Sequence, residues 1–536
     1  MNRNIVQSII LGILLLLAVL LGTTIGNQNY LGLSGYVSIG IILWFLTVGW
    51  KITWKIAAFF VLSGLIIQQS FAFGGNHLMF LMILLGSIIS LVNRNRAPVP
   101  KLIKDAGVKQ LKFFVGILLV YGAGHFFINY VYPVDPSEYS LGNASKAYFT
   151  TFASFVLLWW LVASPYQFRI NDQWSKAFML ILSFAVLLNV ISLSMMTLRG
   201  YGNVDGPAAN DPNAIDMLMY IPIINAYLNR VELRQLAPVA TFLLSLYLLN
   251  PDWRRRQSIL IKALAVIAMG AALVGALISG GRITLIMSVF LIMVALVKNR
   301  KMGAIFGSVI AFVFLVVIVN VFTSWINTKA PFFISRSVQF MMIEKGDAYL
   351  SIQDSNDSRN LAAEIGWKEW RGDNRIFLIG RTVYRHLGTQ EYFAIRGQIG
   401  DKEAFALYAF RSGGVHNLYG DLALQYGIVG MLLYTLAMIS IMVYFRRLYR
   451  LCLARNLPSE VSELAFFCAV TIPLFYIYQI LGGTFFSVLY PLMLGLIRAR
   501  ISHFESIQDA QMAEEKEALQ KAEDLRSIGG MSAGRA

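Results

Sequence analysis

A histidine and an asparagine, His416 and Asn417, stand where a long polar segment gives way to an apolar one. Two glycines follow at Gly427 and Gly430, near the start of the apolar segment. Imidazole is the side chain that titrates near neutral pH, so His416 is a candidate general base at a membrane surface. Asn417 can cap the helix that follows. The glycines would give that helix a thin face for another helix or a lipid chain.

Arginines provide a second candidate chemistry, the binding of an oxyanion. The tetrapeptide Ser-Gly-Gly-Arg at 279–282 forms a turn so short that the Arg282 guanidinium must lie at the membrane boundary. Its planar fork suits a phosphate, but an arginine there can equally anchor a helix to lipid headgroups. Arg199, Arg234 and Arg359 are further candidates for contacts with a pyrophosphate, although many such residues form only surface ion pairs.

The composition is that of a membrane protein, with 57% hydrophobic residues and a mean hydropathy of +0.62. The net charge of +16 does not indicate nucleic-acid binding, because the basic residues cluster in short gaps between apolar segments. That distribution is typical of cytoplasmic loops. The clusters are Lys51 and Lys55, Arg94 to Lys104, Arg254 to Arg256, Lys298 to Lys301, and Arg446 to Arg450.

The apolar segments predict an all-α polytopic membrane protein with about fourteen transmembrane helices, within a range of 12–14. Both termini are then cytoplasmic, and the first helix is retained rather than cleaved as a signal peptide. Every strongly basic segment between spans is then cytoplasmic, provided that 214–228 forms a re-entrant or interfacial helix and does not cross the membrane. The predicted spans are 5–22, 33–50, 56–73, 77–92, 113–131, 147–163, 177–196, 235–250, 258–279, 283–297, 303–322, 425–445, 463–480 and 485–498.

These spans divide the chain into four regions. Residues 1–322 form a bundle of about eleven helices with an external loop at 197–234, and 323–424 form a large extracytoplasmic loop. Residues 425–498 are the last membrane helices, and 499–536 are a solvated cytoplasmic tail. Periodic apolar positions in 323–424 predict short helices that cap the bundle, and a long loop in a compact protein is usually functional.

No metal or cofactor is expected from the sequence. Neither Cys452 nor Cys468 falls in an external loop, so no disulfide is predicted on that face. The histidines and cysteines do not have the spacing of zinc ligands, and no paired aspartates occur in an external segment.

The motif His416-Asn417, nine residues, then Gly427-x-x-Gly430 resembles the signature of the O-antigen ligase and polymerase superfamily of bacterial envelope proteins. That superfamily includes related protein O-oligosaccharyltransferases. The tetrapeptide at 279–282 is similar to an earlier element of the family, and Ser358-Arg359 with Trp367 and Ile379-Gly380 is similar to its loop pattern. The resemblance covers roughly residues 199–445. The chain departs from it at Gln425-Tyr426, where the family often has an acidic residue.

The resemblance implies a GT-C-like architecture and a multi-pass enzyme of the bacterial inner membrane with its active face in the periplasm. It implies that a glycan passes from an undecaprenyl-pyrophosphate donor to a sugar hydroxyl without metal or nucleotide. His416 would be the base, and Arg282, Arg199, Arg234 and Arg359 would bind the pyrophosphate. Asn417, Gly427 and Gly430 would support the site. A flippase and a chain-length regulator would be partners in assembling the polysaccharide.

Alternatives are open for both the acceptor and the class of protein. A polymerase extends O-antigen or exopolysaccharide repeat units and is favoured, whereas a ligase transfers the glycan to lipid A-core in lipopolysaccharide. A flippase or other transporter would need ionisable residues deep within its spans, and the predicted spans have almost none. A structural scaffold would not need a singular His-Asn element at a helix entrance.

Overall fold

A computed structural model shows how part of this chain is arranged. It describes residues 101–131, single positions between 180 and 194, and residues 226–279, 281–328, 330, 335, 337–344, 347–380, 418–480, 501, 504 and 517–521. Within these helices, it describes no side chains for 126–131, 226–233, 235, 256, 347–356, 358, 359 and 369.

The described part of the chain is helical and contains no strand. This confirms the all-helical class for those residues. The helices are α1 (Lys101–Asp105), α2 (Val108–Val131), α3 (Ala226–Leu249), α4 (Pro251–Arg256), α5 (Ile259–Ile278), α6 (Arg282–Lys298), α7 (Met302–Val321), α8 (Thr323–Thr328), α9 (Asp347–Gly372), α10 (Asn374–Ile379), α11 (Leu418–Ala454) and α12 (Ser459–Ile480), with a 3₁₀ turn at Gln339–Met341.

Among the described residues, four helices are long and apolar enough to cross a membrane: α5, α7, α11 and α12. Three of them nearly coincide with predicted spans, at 258–279, 303–322 and 463–480. The apolar runs that predict them are continuous, so their ends are well marked in the sequence. Helix α11 differs, because it begins seven residues before the predicted span at 425 and ends nine residues after 445.

Polar contacts join several helices to one another at one end of the bundle. Arg455, the residue after α11, pairs with Asp105 of α1 at 2.6 Å. The Ser459 hydroxyl at the start of α12 donates to the Asp252 carboxylate at 2.7 Å. Lys298, the last residue of α6, pairs with Glu463 of α12. We call this the basic end, because the predicted cytoplasmic clusters around Arg254, Arg300 and Arg446 lie on the helix termini that meet here.

The Lys298–Glu463 pair gives a stability prediction. Both side chains are largely buried, at 17% and 11% exposed, and the Lys298 ammonium also lies 4.6 Å from the Phe466 ring centroid. Removing one member of such a pair leaves an unpaired buried charge. We therefore expect Glu463→Leu to destabilise the protein by about 3 kcal/mol.

Thermal unfolding of the detergent-solubilised protein measures this effect. The double variant Lys298→Met with Glu463→Leu is the control, because it removes both charges, and it should recover most of the lost stability. Equal unfolding temperatures for wild type and Glu463→Leu would show that the pair contributes nothing.

Small residues let α3 pack closely against α5. The buried face of α5 repeats every three to four residues and contains Ala265, Ala268, Ala272, Gly275 and Ala276. Small side chains at this spacing allow helix backbones to approach. Helix α3, which also lies against α6, begins at Ala226 and therefore includes residues predicted to belong to the external loop 197–234.

Candidate functional site

The Ser-Gly-Gly-Arg turn and the start of α11 lie at the same end of the bundle. Helix α6 ends at the basic end, so its amino end at Arg282 lies at the opposite end. Helix α12 begins at the basic end, and Tyr419 at the start of α11 bonds Tyr476 near the carboxyl end of α12, so the start of α11 lies at that opposite end as well. We call this opposite end the turn end. His416 and Asn417 immediately precede Leu418 in the sequence and lie outside the described residues.

Arg234 of α3 binds the turn that precedes Arg282. Its Nε donates to the Ser279 carbonyl oxygen at 3.0 Å. The Ser279 side chain is fully buried; its hydroxyl donates to the Ala276 carbonyl at 2.8 Å and accepts from the Gly281 N–H at 3.4 Å. A guanidinium beside the carbonyls at the end of α5 also interacts favourably with that helix dipole. Two of the predicted arginine positions, 234 and 282, therefore meet at one turn.

Gly281 leaves the space that this arrangement requires. A Cβ at that position would lie 3.3 Å from Cγ of Arg234 and 2.6 Å from the Thr284 hydroxyl. Gly281 is also the N-cap of α6, and no side chain in the described residues caps this helix. The N–H groups of the first helical turn lack intrahelical acceptors. An anion at this point would meet those groups and the partly buried Arg282, the first residue of α6.

The beginning of the long loop packs on the same turn. The Ser337 hydroxyl donates to the Leu277 carbonyl at 2.7 Å, and Val338 and Met341 lie in an apolar cluster with Leu277 and Leu285. Three buried side chains at this end, Thr284, Ser335 and Gln339, have polar atoms with no hydrogen-bond partner in the described part of the chain. Such groups usually have a partner in native proteins, so this layer could satisfy the oxygens of a bound ligand.

Helices α9 and α10 cover the first part of α11. Trp370 and Phe377 lie with their ring centroids 4.7 Å apart, and Trp367 is 5.0 Å from Trp370. These rings pack with Ala423 and Leu424 of α11 in one apolar cluster. Within the segment 323–424, the structure describes α9, which is a long helix rather than a short one, and α10, and both pack on α11.

Two glycines meet where α10 crosses α11. Gly380 ends α10 with φ 81°, and Gly427 interrupts α11 with φ 62° and ψ −170°. A Cβ on Gly380 would collide with the backbone of Gln425 and Tyr426, and a Cβ on Gly427 would collide with the backbone of Leu378 and Ile379. At Gly427, the neighbour that approaches closely is therefore polypeptide, not a lipid chain.

Gly430 has a related role on the side of α2. A Cβ there would meet the Tyr426 side chain and would lie 3.0 Å from Cε1 of Tyr121. The Tyr121 hydroxyl donates to the Tyr426 carbonyl at 2.7 Å. His125 is buried with its ring centroid 5.0 Å from that of Tyr426.

The remaining candidates from the sequence fall partly outside the described residues. His416, Asn417 and Arg199 lie outside them, and Arg359 lies within α9 with its side chain not described. Their roles therefore stay predictions. Of the candidate arginines, Arg234 and Arg282 are those whose side chains can be placed.

Some residues at this site are not apparent from sequence reasoning. Asp421 and Gln425 are each 4% exposed, and their spacing places them one helical turn apart in α11. The signal that could have identified them is the same spacing of an acid and an amide within an otherwise apolar run. The contacts of Gly380 and Tyr121 with α11 are also not apparent from the sequence, because they depend on tertiary structure.

Comparison with known proteins found no family model that matches this chain, and no curated protein matches it either.

Proposed function

We propose that this protein is a membrane glycosyltransferase that transfers a glycan from an undecaprenyl-pyrophosphate donor to a sugar hydroxyl. The favoured acceptor is another lipid-linked repeat unit, so the product is an O-antigen or exopolysaccharide polymer. The observation that most supports this proposal is the meeting of Arg234 and the 279–282 turn at the end of the bundle where α11 begins.

The donor pyrophosphate binds at the amino end of α6. Arg282 and Arg234 compensate its charge, and the uncapped first turn of α6 adds backbone N–H donors. Thr284 and Gln339 offer hydrogen bonds to oxygens near the phosphates, because their polar atoms are buried without partners in the described residues. Arginines fixed in place before the reaction stabilise charge that develops on the leaving pyrophosphate.

His416 acts as the general base. It accepts the proton of the acceptor hydroxyl while that oxygen bonds to the anomeric carbon of the donor. The bond from this carbon to the phosphate oxygen breaks, and undecaprenyl pyrophosphate leaves with the bonding electrons. Attack from the side opposite the leaving group inverts the anomeric configuration. Arg199 and Arg359 are proposed as further pyrophosphate ligands, and Asn417 as the cap that orients His416.

The same proposal includes the number of membrane crossings and the orientation of the chain. The chain crosses the bacterial inner membrane about fourteen times in a GT-C-like arrangement, with the turn end in the periplasm. A flippase supplies the donor on that face, and a chain-length regulator acts on the product.

Reconstituted activity tests the proposed function. Purified protein in liposomes is given an undecaprenyl-pyrophosphate-linked repeat unit, and the products are separated by size. We expect glycan longer than one repeat unit and release of undecaprenyl pyrophosphate, with no loss in the presence of EDTA. Transfer only when lipid A-core is added would identify a ligase, and no transfer to either acceptor would refute a glycosyltransferase.

A further inference from the structure

We propose that Gly380, Gly427 and Tyr121 are positioning residues. Together they maintain a break in α11 that fixes the direction of residues 418–426. The break therefore also fixes the position of Leu418, which follows His416 and Asn417 in the sequence. The catalytic meaning of that position rests on the proposed function, because it requires His416 to be the base.

The break itself depends on glycine. Gly427 has φ 62° and ψ −170°, a combination that is essentially confined to glycine because a Cβ would clash with the chain's own backbone. It divides α11 into a first segment, 418–426, and a longer segment, 428–454. A helix changes direction sharply only at such an identifiable cause.

The crossing of α10 keeps the break in one geometry. The backbone of α10 at Leu378 and Ile379 occupies the space that a side chain at position 427 would fill. The backbone of α11 at Gln425 and Tyr426 occupies the space that a side chain at position 380 would fill. The contact is thus reciprocal, with a glycine in the left-handed region on each side. Neither helix can rotate without separating from the other.

A hydrogen bond from α2 also supports the break. In a continuous helix the Tyr426 carbonyl would accept the N–H of residue 430. Here it accepts the Tyr121 hydroxyl at 2.7 Å, and Gly430 leaves room for both tyrosine rings. Tyr121 therefore satisfies a backbone oxygen where the helix is interrupted.

The first segment has little freedom to move independently. Residues 418–427 are buried apart from the partly exposed Tyr419. The Tyr419 hydroxyl bonds Tyr476 of α12 and lies 3.3 Å from the Thr435 hydroxyl. Helices α2, α10 and α12 thus all contact this segment. Its amino end, Leu418, is therefore held in one place, as the positioning of a catalytic group requires.

The test compares Gly380→Ala, Gly427→Ala and Tyr121→Phe in the liposome assay. We expect kcat to fall on the order of 100-fold in each glycine variant and about fivefold in Tyr121→Phe, the effect of one neutral hydrogen bond. The KM for the undecaprenyl-pyrophosphate donor should stay unchanged, because the proposed donor site at Arg282 is not altered. Gly303→Ala and Gly307→Ala are matched controls and should keep full activity, since no described atom lies within 4 Å of a Cβ at either position.

A second readout does not depend on glycan transfer. Ala423 is 1% exposed, so Ala423→Cys should resist a maleimide in the otherwise wild-type protein. It should react when combined with Gly380→Ala or Gly427→Ala, and stay unreactive with Gly303→Ala. The native Cys452 and Cys468 are buried and give a low background.

The outcomes separate this proposal from the proposed function. Increased maleimide labelling of the Ala423→Cys variants, with no glycan transfer even in wild type, would support the break and refute the glycosyltransferase. Unchanged labelling and unchanged kcat in the glycine variants would overturn the positioning role. If those variants do not elute as folded protein, Tyr121→Phe decides: a wild-type kcat for that variant would overturn the proposal.

Discussion

His416→Ala is expected to lower the rate of glycan transfer by roughly 10²–10⁴-fold, the usual contribution of a positioned general base. The methyl group cannot accept the proton that the attacking hydroxyl must lose. The protein should still insert and fold, because the change removes a polar side chain that precedes α11 and leaves its helical segment intact. The liposome assay with the lipid-linked donor measures the rate.

The matched control for this variant is His386→Ala. His386 lies in the same predicted external loop, where the sequence gives it no catalytic role, and its replacement should leave the rate unchanged. A His416→Ala protein with wild-type transfer would remove the base from the mechanism. Loss of the folded elution peak would instead indicate a structural role.

Arg282→Gln should have the second-largest effect. It removes a cation and a two-pronged donor from the amino end of α6, where the leaving pyrophosphate is proposed to bind. The loss of one preorganised donor of this kind costs on the order of 10²–10³ in rate. Arg282→Lys should also weaken donor binding although the charge is kept, because a lysine cannot form the bidentate contact.

Arg255→Gln is the control for the arginine variants. Arg255 is exposed in α4 at the basic end, so its removal should change neither kcat nor the KM for the donor. Wild-type donor affinity in Arg282→Lys would indicate that Arg282 is an anchor for lipid headgroups.

The sequence predicts those parts of the fold that depend on continuous apolar runs. Helices α5 and α7 begin and end within one residue of the predicted spans, because each run is bounded by polar or basic residues. The start of α11 could not be found in this way. Residues 418–424 include Gly420 and Asp421, and they form a helix in a setting where α9 and α10 bury them.

At the site too, features within one short segment are predictable from the sequence, whereas contacts between distant segments are not. The short turn before Arg282 is evident from its glycines, and the structure places it at the amino end of α6. The contact of Arg234 with Ser279 joins residues 45 positions apart, and the Gly380–Gly427 crossing joins two distant helices. Periodicity and spacing within one segment do not reveal which helices pack together.

The central claim is that Arg282 and His416 face the same, non-cytosolic compartment. Arg282→Cys and His416→Cys can each be labelled with a membrane-impermeant maleimide in intact cells whose outer membrane has been permeabilised. Lys301→Cys at the basic end serves as the cytoplasmic control, and the buried Cys452 and Cys468 contribute little background. We expect labelling at 282 and 416 but not at 301. Labelling of only one of positions 282 and 416 would place the two on opposite sides and exclude a shared reaction centre.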